Sequence, residues 1–118
     1  MNAVNRIAMM DLMPLSICGI KLNAQKFEAS VGSLPLDLTL SEFKILHSLV
    51  RRPGYVCTRH HLIEKISDGI NLVDRNIDVH ISSLRKKLGK HRVMIETVRG
   101  LGYRFNMEIE IVPHQKGA

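Results

Sequence analysis

Asp74-Arg75-Asn76-Ile77-Asp78-Val79-His80-Ile81-Ser82-Ser83-Leu84-Arg85-Lys86-Lys87-Leu88-Gly89 carries the strongest periodicity in the chain. Ile77, Ile81, Leu84 and Leu88 recur at i, i+4, i+7 and i+11, which puts one apolar stripe along one side of an α-helix. Asp74 is predicted to cap that helix, and Gly89 stands where a C′ residue belongs. At about 100° per residue, Arg75, Val79, Ser82 and Lys86 fall opposite the stripe, flanked by Asp78 and Ser83. A helix that merely faces water favours Glu–Lys pairs. A face of Arg, Lys, Ser and one small β-branched residue suits a major groove instead. There, cations meet phosphate or guanine, hydroxyls meet bases or phosphates, and Val meets a thymine methyl. Taken alone, the helix leaves open a second reading, an amphipathic surface helix with a basic rim.

Downstream, Val93 to Phe105 is predicted to form a β-hairpin. Ile95-Glu96-Thr97-Val98 and Tyr103-Arg104-Phe105 flank Arg99-Gly100-Leu101-Gly102, whose two glycines are expected to supply positive φ in the turn. A narrow loop led by one guanidinium is shaped to enter a minor groove. It is no phosphate-binding loop, since it lacks both the spacing and a Lys-Ser/Thr pair opening a helix. A helix-turn-helix followed by a basic β-wing is more specific than either part.

Upstream, Thr39-Leu40-Ser41-Glu42 is a capping box. Phe43, Leu46, His47, Leu49 and Val50 follow at helical spacing until Pro53-Gly54 ends the run. Tyr55-Val56-Cys57 reads as a very short strand. Thr58 then caps a second helix that runs to Ile66, with Leu62, Ile63 and Ile66 on its apolar face, and Asp68-Gly69 turns the chain. From Leu15 to Leu38, alternation and the Gly32-Ser33 turn favour an antiparallel meander of three or four short strands, with Pro35 at an edge. Residues 1–13 have no clean period and read as a linker or docking segment.

A length of 118 residues fits one domain, and 45% hydrophobic residues suffice for one modest core without staples. Cys18 and Cys57 form no CxxC pair, so neither a zinc site nor a disulfide framework is expected, and a reducing, cytoplasmic setting follows. No apolar run reaches membrane-spanning length. The net charge of +6 is unevenly placed: residues 1–50 balance, whereas residues 51–104 hold twelve basic against five acidic side chains. Such a bias suits a polyanion held on one side.

Several stretches resemble the winged-helix effector domain of OmpR/PhoB-type response regulators. They are Leu38-Thr39-Leu40-Ser41-Glu42-Phe43-Lys44-Ile45-Leu46, Val73-Asp74-Arg75-Asn76-Ile77-Asp78-Val79-His80-Ile81, Leu84-Arg85-Lys86-Lys87-Leu88-Gly89 and Ile95-Glu96-Thr97-Val98-Arg99-Gly100-Leu101-Gly102-Tyr103-Arg104-Phe105. The resemblance spans residues 15–105. It implies an α+β fold, a winged helix-turn-helix with an N-terminal antiparallel four-stranded sheet, three helices and a C-terminal β-hairpin wing. It also implies sequence-specific binding of double-stranded DNA for transcription regulation, with the third helix in the major groove and the wing in the minor groove. Arg75, Val79, His80, Ser82, Ser83, Arg85 and Lys86 become helix contacts, and Thr97, Arg99 and Tyr103 become wing or backbone contacts. Protomers of that family commonly sit head-to-tail on direct repeats. The loop here spanning about Ser67 to Val73 commonly touches RNA polymerase, and a receiver domain in cis governs assembly through phosphorylation.

The chain departs from that pattern in three ways. Ser82 and Ser83 stand where the family usually has at least one Arg or Lys, the loop after the second helix lacks its usual aromatic residue, and no receiver domain is present. The chain is therefore read as a fragment in preference to a stand-alone protein with no phosphorylation switch: residues 1–13 are a linker or N-terminal extension, 14–106 the domain and 107–118 a C-terminal tail. His60, His61 and Glu64 do not make a metal site, because adjacent side chains on a helix diverge and no third ligand is evident. His80 lies between the core stripe and the wing side, which suits a phosphate contact or core packing. No nucleophile context or carboxylate pair points to catalysis, and no cofactor is expected. The competing function is a winged-helix protein-interaction module with weak or non-specific DNA binding.

Overall fold

The computed structural model describes residues 13–67 and 74–109. An N-terminal antiparallel sheet comes first, with strands β1 (Leu15–Ile17), β2 (Ile20–Asn23), β3 (Glu28–Val31) and β4 (Leu34–Leu36) in sequential order. Alternation sets its buried face. Ile20 and Leu22 point into the core with Lys21 outward between them, and Ala29, paired with Leu22, is buried from β3. Asn23 Oδ1 accepts from the amides of Gln25 and Lys26, which turns the chain between β2 and β3. β4 is an edge strand, so Pro35 costs no interior hydrogen bond there.

Helix α1 (Leu40–Arg51) opens on the expected capping box. The Glu42 amide donates to Thr39 Oγ1 at 3.1 Å, and the Thr39 amide donates to Glu42 Oε1 at 2.9 Å. The short strand β5 (Cys57–Thr58) starts two residues later than predicted, ends one residue later, and pairs with the C-terminal hairpin. Thr58 caps α2 (Arg59–Ile66) as expected, its hydroxyl accepting from the His61 amide. Ile45, Leu46 and Leu49 of α1 meet Leu62 and Ile66 of α2 in the core.

Helix α3 (Ile77–Leu88) buries Ile77, Ile81, Leu84 and Leu88, the stripe read from the sequence. Its cap differs from expectation: Asn76, not Asp74, accepts from the Val79 amide. Asp74 Oδ1 instead accepts from the Asn76 amide at 2.9 Å, so two Asx side chains act in series and the inner one caps. The helix ends at Gly89, whose amide donates to the Lys86 carbonyl.

A 3₁₀-helical segment (Gly89–Met94) follows, so the hairpin begins at Ile95 and not at Val93. Met94 and His91 turn inward, which a six-residue connection permits and a strand running from Val93 would not. Strands β6 (Ile95–Val98) and β7 (Gly102–Phe105) pair antiparallel, and β5 joins β7 to make a second sheet of order β5-β7-β6. The Leu101 amide closes the turn onto the Val98 carbonyl at 2.9 Å. The two turn glycines have different causes. Gly100 has φ +79° and needs its conformational freedom, whereas Gly102 does not. A Cβ on Gly102 would sit 2.1 Å from the Cys57 carbonyl oxygen, so glycine there lets β5 approach β7. The core of α1, α2 and α3 thus closes against a hairpin seated on β5, with Phe105 fully buried beneath it.

Candidate nucleic-acid interface

Packing of the Ile77–Leu88 stripe decides what α3 presents outward. Arg75 just before the cap, then Val79, Ser82 and Lys86, are exposed, and Val79 retains 51% of its surface. The half of the Val79 side chain left in water between cations adds nothing to folding and is free to meet a partner. At the wing tip, Arg99 is exposed beside Leu101, which retains 56% of its surface. Cross-strand polar contacts stiffen the hairpin. Glu96 accepts from Arg104 Nε at 2.7 Å and from Asn106 Nδ2 at 2.9 Å, and those two bonds, in that reverse order, hold its carboxyl below the usual range.

The remaining predicted site residues are already engaged by the protein. Arg85 is half-buried, and its Nη2 donates to the Ile95 carbonyl at 2.6 Å and to Thr97 Oγ1 at 3.0 Å. It therefore ties α3 to the first wing strand. Tyr103 is only 4% exposed, and its hydroxyl donates to Asp78 Oδ1. Asp78 also accepts from Arg59 Nε at 2.9 Å, and the Arg59 and Arg85 guanidiniums stand 5.2 and 5.5 Å from the Tyr103 ring centre. Bonds from Tyr103 and then Arg59 hold the Asp78 carboxyl low, while burial and then the bond to Asp78 push the Tyr103 phenol up. His80 is half-buried with Nε2 2.6 Å from the Asp74 carbonyl oxygen, bracing the turn that precedes the helix.

Ser83 faces inward rather than alongside Ser82. It hydrogen-bonds Glu42, which is 3% exposed and accepts from Lys87 Nζ at 2.7 Å. Burial raises the Glu42 carboxyl, but bonds from Lys87, Ser83 and the Thr39 amide outweigh it, and the net shift is downward. The cap of α1 is thereby fastened to the C-terminal half of α3. Sequence reading missed this role of Glu42 and Lys87, and it also missed Arg59 and Asp78. The one signal for the latter is Asp78 itself, a lone acid on an otherwise basic helix face. Apart from Ser67, the loop expected to meet RNA polymerase lies outside the described residues, as do residues 1–12 and 110–118. Cys18 and Cys57 are free thiols. Among the described residues, no helix is long and apolar enough to cross a membrane.

The family described as "Transcriptional regulatory protein, C terminal" matches residues 33–105, which takes in all three helices and the wing. The chain belongs to this family, as an OmpR/PhoB-type effector domain. The phosphate regulon transcriptional regulatory protein PhoB of Shigella flexneri is 35% identical over 109 residues, covering 90% of this chain and 47% of PhoB. The atypical response regulator ChxR of Chlamydia trachomatis is 46% identical over 88 residues, covering 74% of this chain and 37% of ChxR. The chain thus spans about half the length, or less, of these curated relatives. Among solved structures, the DNA-binding domain of Escherichia coli CpxR superposes with a TM-score of 0.70 at 34% identity, covering 82% of this chain and 99% of that one. The Klebsiella pneumoniae RstA DNA-binding domain, in complex with the RstA box, gives 0.68 at 28% identity, with 80% and 98% covered. As an effector domain of this type, the chain has the expected winged helix-turn-helix architecture, and its family is one of transcription-regulator domains rather than enzymes.

Proposed function

We propose that residues 14–106 form the sequence-specific double-stranded DNA reader of a bacterial transcription regulator, with α3 in the major groove and Arg99 of the wing in the minor groove. One observation carries the reading: Arg85 binds both the Ile95 carbonyl and Thr97, so the exposed face of α3 and the wing address a duplex as one rigid body. Arg75 and Lys86 neutralise phosphate or bond guanine, Val79 meets a thymine methyl, and Ser82 bonds a base or phosphate. His80, Ser83, Arg85, Thr97 and Tyr103 act mainly by holding those groups in position. Single copies align head-to-tail on direct repeats, a receiver domain in cis governs that assembly, and the loop from Ser67 to Val73 meets RNA polymerase. The work is done in the cytoplasm, where bacterial DNA is.

A second reading, a protein-interaction module with weak DNA binding, draws on Ser82, whose short side chain reaches less far than Arg or Lys. Salt dependence separates the two, because each phosphate neutralised lowers log K by roughly 0.9 per unit of log[salt]. The test is Arg99→Ala on a duplex with a narrow A·T-rich minor groove. The substitution is expected to cost about 1–3 kcal/mol there and less on a G·C-rich site. Equal affinity of parent and variant for both sites removes the wing from the interface.

A further inference from the structure

Two shallow depressions meet where α1 lies against α2. One of about 390 Å³ is bordered by Arg52, Tyr55, Val56, His61 and Lys65. The other, of about 170 Å³, is bordered by Phe27, Phe43 and Lys44. Ser48, Arg51 and Lys65 line both, so the two form one continuous groove. His61 and Lys65 are four residues apart on α2, on the opposite side of that helix from Arg59, which binds Asp78 of α3. None of the residues assigned to DNA lines the groove. It is a separate surface.

Its chemistry is one-sided. Among the described residues, no Asp or Glu borders either depression, whereas Lys44, Arg51, Arg52 and Lys65 all do. Burial pushes the Cys57 thiol up, and Arg52 and Lys65 pull against it, so both cations act on the same floor. Each end of the groove is aromatic. Phe27 is 56% exposed and meets Phe43 edge-on at 5.3 Å, while Tyr55 is 62% exposed beneath the Arg52 guanidinium at 4.8 Å. Val56 adds exposed apolar surface beside Tyr55. Nucleic-acid backbone would satisfy the cations but leave the exposed Phe27, Tyr55 and Val56 side chains without apolar partners. Aromatic and arginine side chains grouped in this way are the composition of protein–protein contact surfaces.

We propose that this groove takes an acidic peptide segment of a partner protein, with carboxylates laid along Lys44, Arg52 and Lys65 and apolar side chains set against Phe27 and against Tyr55 and Val56. Partner choice then rests on charge complementarity and two aromatic anchors, on a face that DNA binding leaves open.

A synthetic helix-forming peptide of Glu, Asp and Leu, titrated into the isotope-labelled chain, tests this by amide NMR shifts. The same peptide with Lys in place of its acids serves as control. The acidic peptide is expected to move the amides of Lys44, Arg52, His61 and Lys65, to spare those of Val79 and Arg99, and to weaken about tenfold between roughly 50 and 300 mM salt. Arg52→Gln with Lys65→Gln is expected to weaken it about tenfold, and Tyr55→Ala likewise, while duplex affinity stays at the parent value. These side chains are exposed, and an unchanged amide spectrum outside the groove checks that each variant is folded. The proposal is overturned by absence of shifts, by shifts on α3 and the wing instead, or by equal binding of the Lys peptide. Displacement of the peptide by a duplex that shifts the same groove amides also overturns it, in favour of a nucleic-acid site.

Discussion

Gly102→Ala should be the most damaging single-methyl change in the wing, and the structure sets its size. The added Cβ would lie 2.1 Å from the Cys57 carbonyl oxygen, 2.8 Å from Thr58 Cα and 3.0 Å from the Cys57 carbonyl carbon. All three are backbone atoms, so no side chain can rotate away. Ordinary carbon–oxygen contacts need about 3.3 Å, and β5 must therefore retreat by roughly 1 Å. That strand is held to β7 by only two residue pairs, Cys57 with Tyr103 and Thr58 with Gly102. Overpacking costs about 1–3 kcal/mol and a weakened ladder bond about 1 more, against a gain of about 0.5–1 from stiffening the unfolded chain. The net is a loss of about 1–3.5 kcal/mol, or roughly 5–20 °C in melting temperature for a domain of this size. Gly100→Ala is the control: its φ of +79° is strained for alanine, but the space is open, and about 1–2 kcal/mol is expected. Urea and thermal unfolding followed by circular dichroism measure both. A Gly102→Ala protein that melts with the parent, or a Gly100→Ala protein that melts lower than it, would refute the close-approach argument.

Glu42→Gln should destabilise the protein by about 1–3 kcal/mol at neutral pH by removing the charge-assisted bonds from Lys87 and Ser83. Because the folded Glu42 carboxyl titrates below its unfolded value, its contribution is complete above the ordinary carboxylate range and is lost as pH falls through the lowered value. Unfolding curves of parent and variant should accordingly converge in acid; a constant gap down to about pH 2 would assign the effect to packing. Ser82→Arg and Ser83→Arg should differ in DNA affinity, since Ser82 is exposed and Ser83 faces Glu42. Ser82→Arg is expected to steepen the salt slope by about 0.9 and Ser83→Arg to change it less, with some loss of stability from displaced Lys87. The reverse order in a salt titration would show that the helix presents a different face.

What the sequence reveals about this fold is local. The capping box at Thr39 and Glu42, the stripe from Ile77 to Leu88 and the turn through Gly100 each depend on residues within one or two helical turns or one hairpin. Competition between Asp74 and Asn76 for the α3 cap escaped because both residues have the right chemistry, and only the backbone path separates them. The candidate site divides along the same line. Arg75, Val79, Ser82, Lys86 and Arg99 are legible because exposure follows from periodicity. Bonds from Lys87 to Glu42, across 45 positions, and from Tyr103 to Asp78, across 25, are not local and leave no periodic trace. Those contacts, with the Arg85 bonds to Ile95 and Thr97, give Ser83, Arg85 and Tyr103 a part in holding α3, the wing and α1 together that the sequence does not show. Gly102 shows the same limit: a glycine that admits a neighbouring strand looks, in sequence, like one that admits a turn.

Selection of the purified chain against a random duplex DNA pool at two salt concentrations tests the central claim most directly. Recovery of a defined motif, arranged as a direct repeat and lost steeply as salt rises, is the expected result. Retention of DNA with no enriched motif, or no retention at either salt, would contradict a sequence-specific reader built on α3 and the wing.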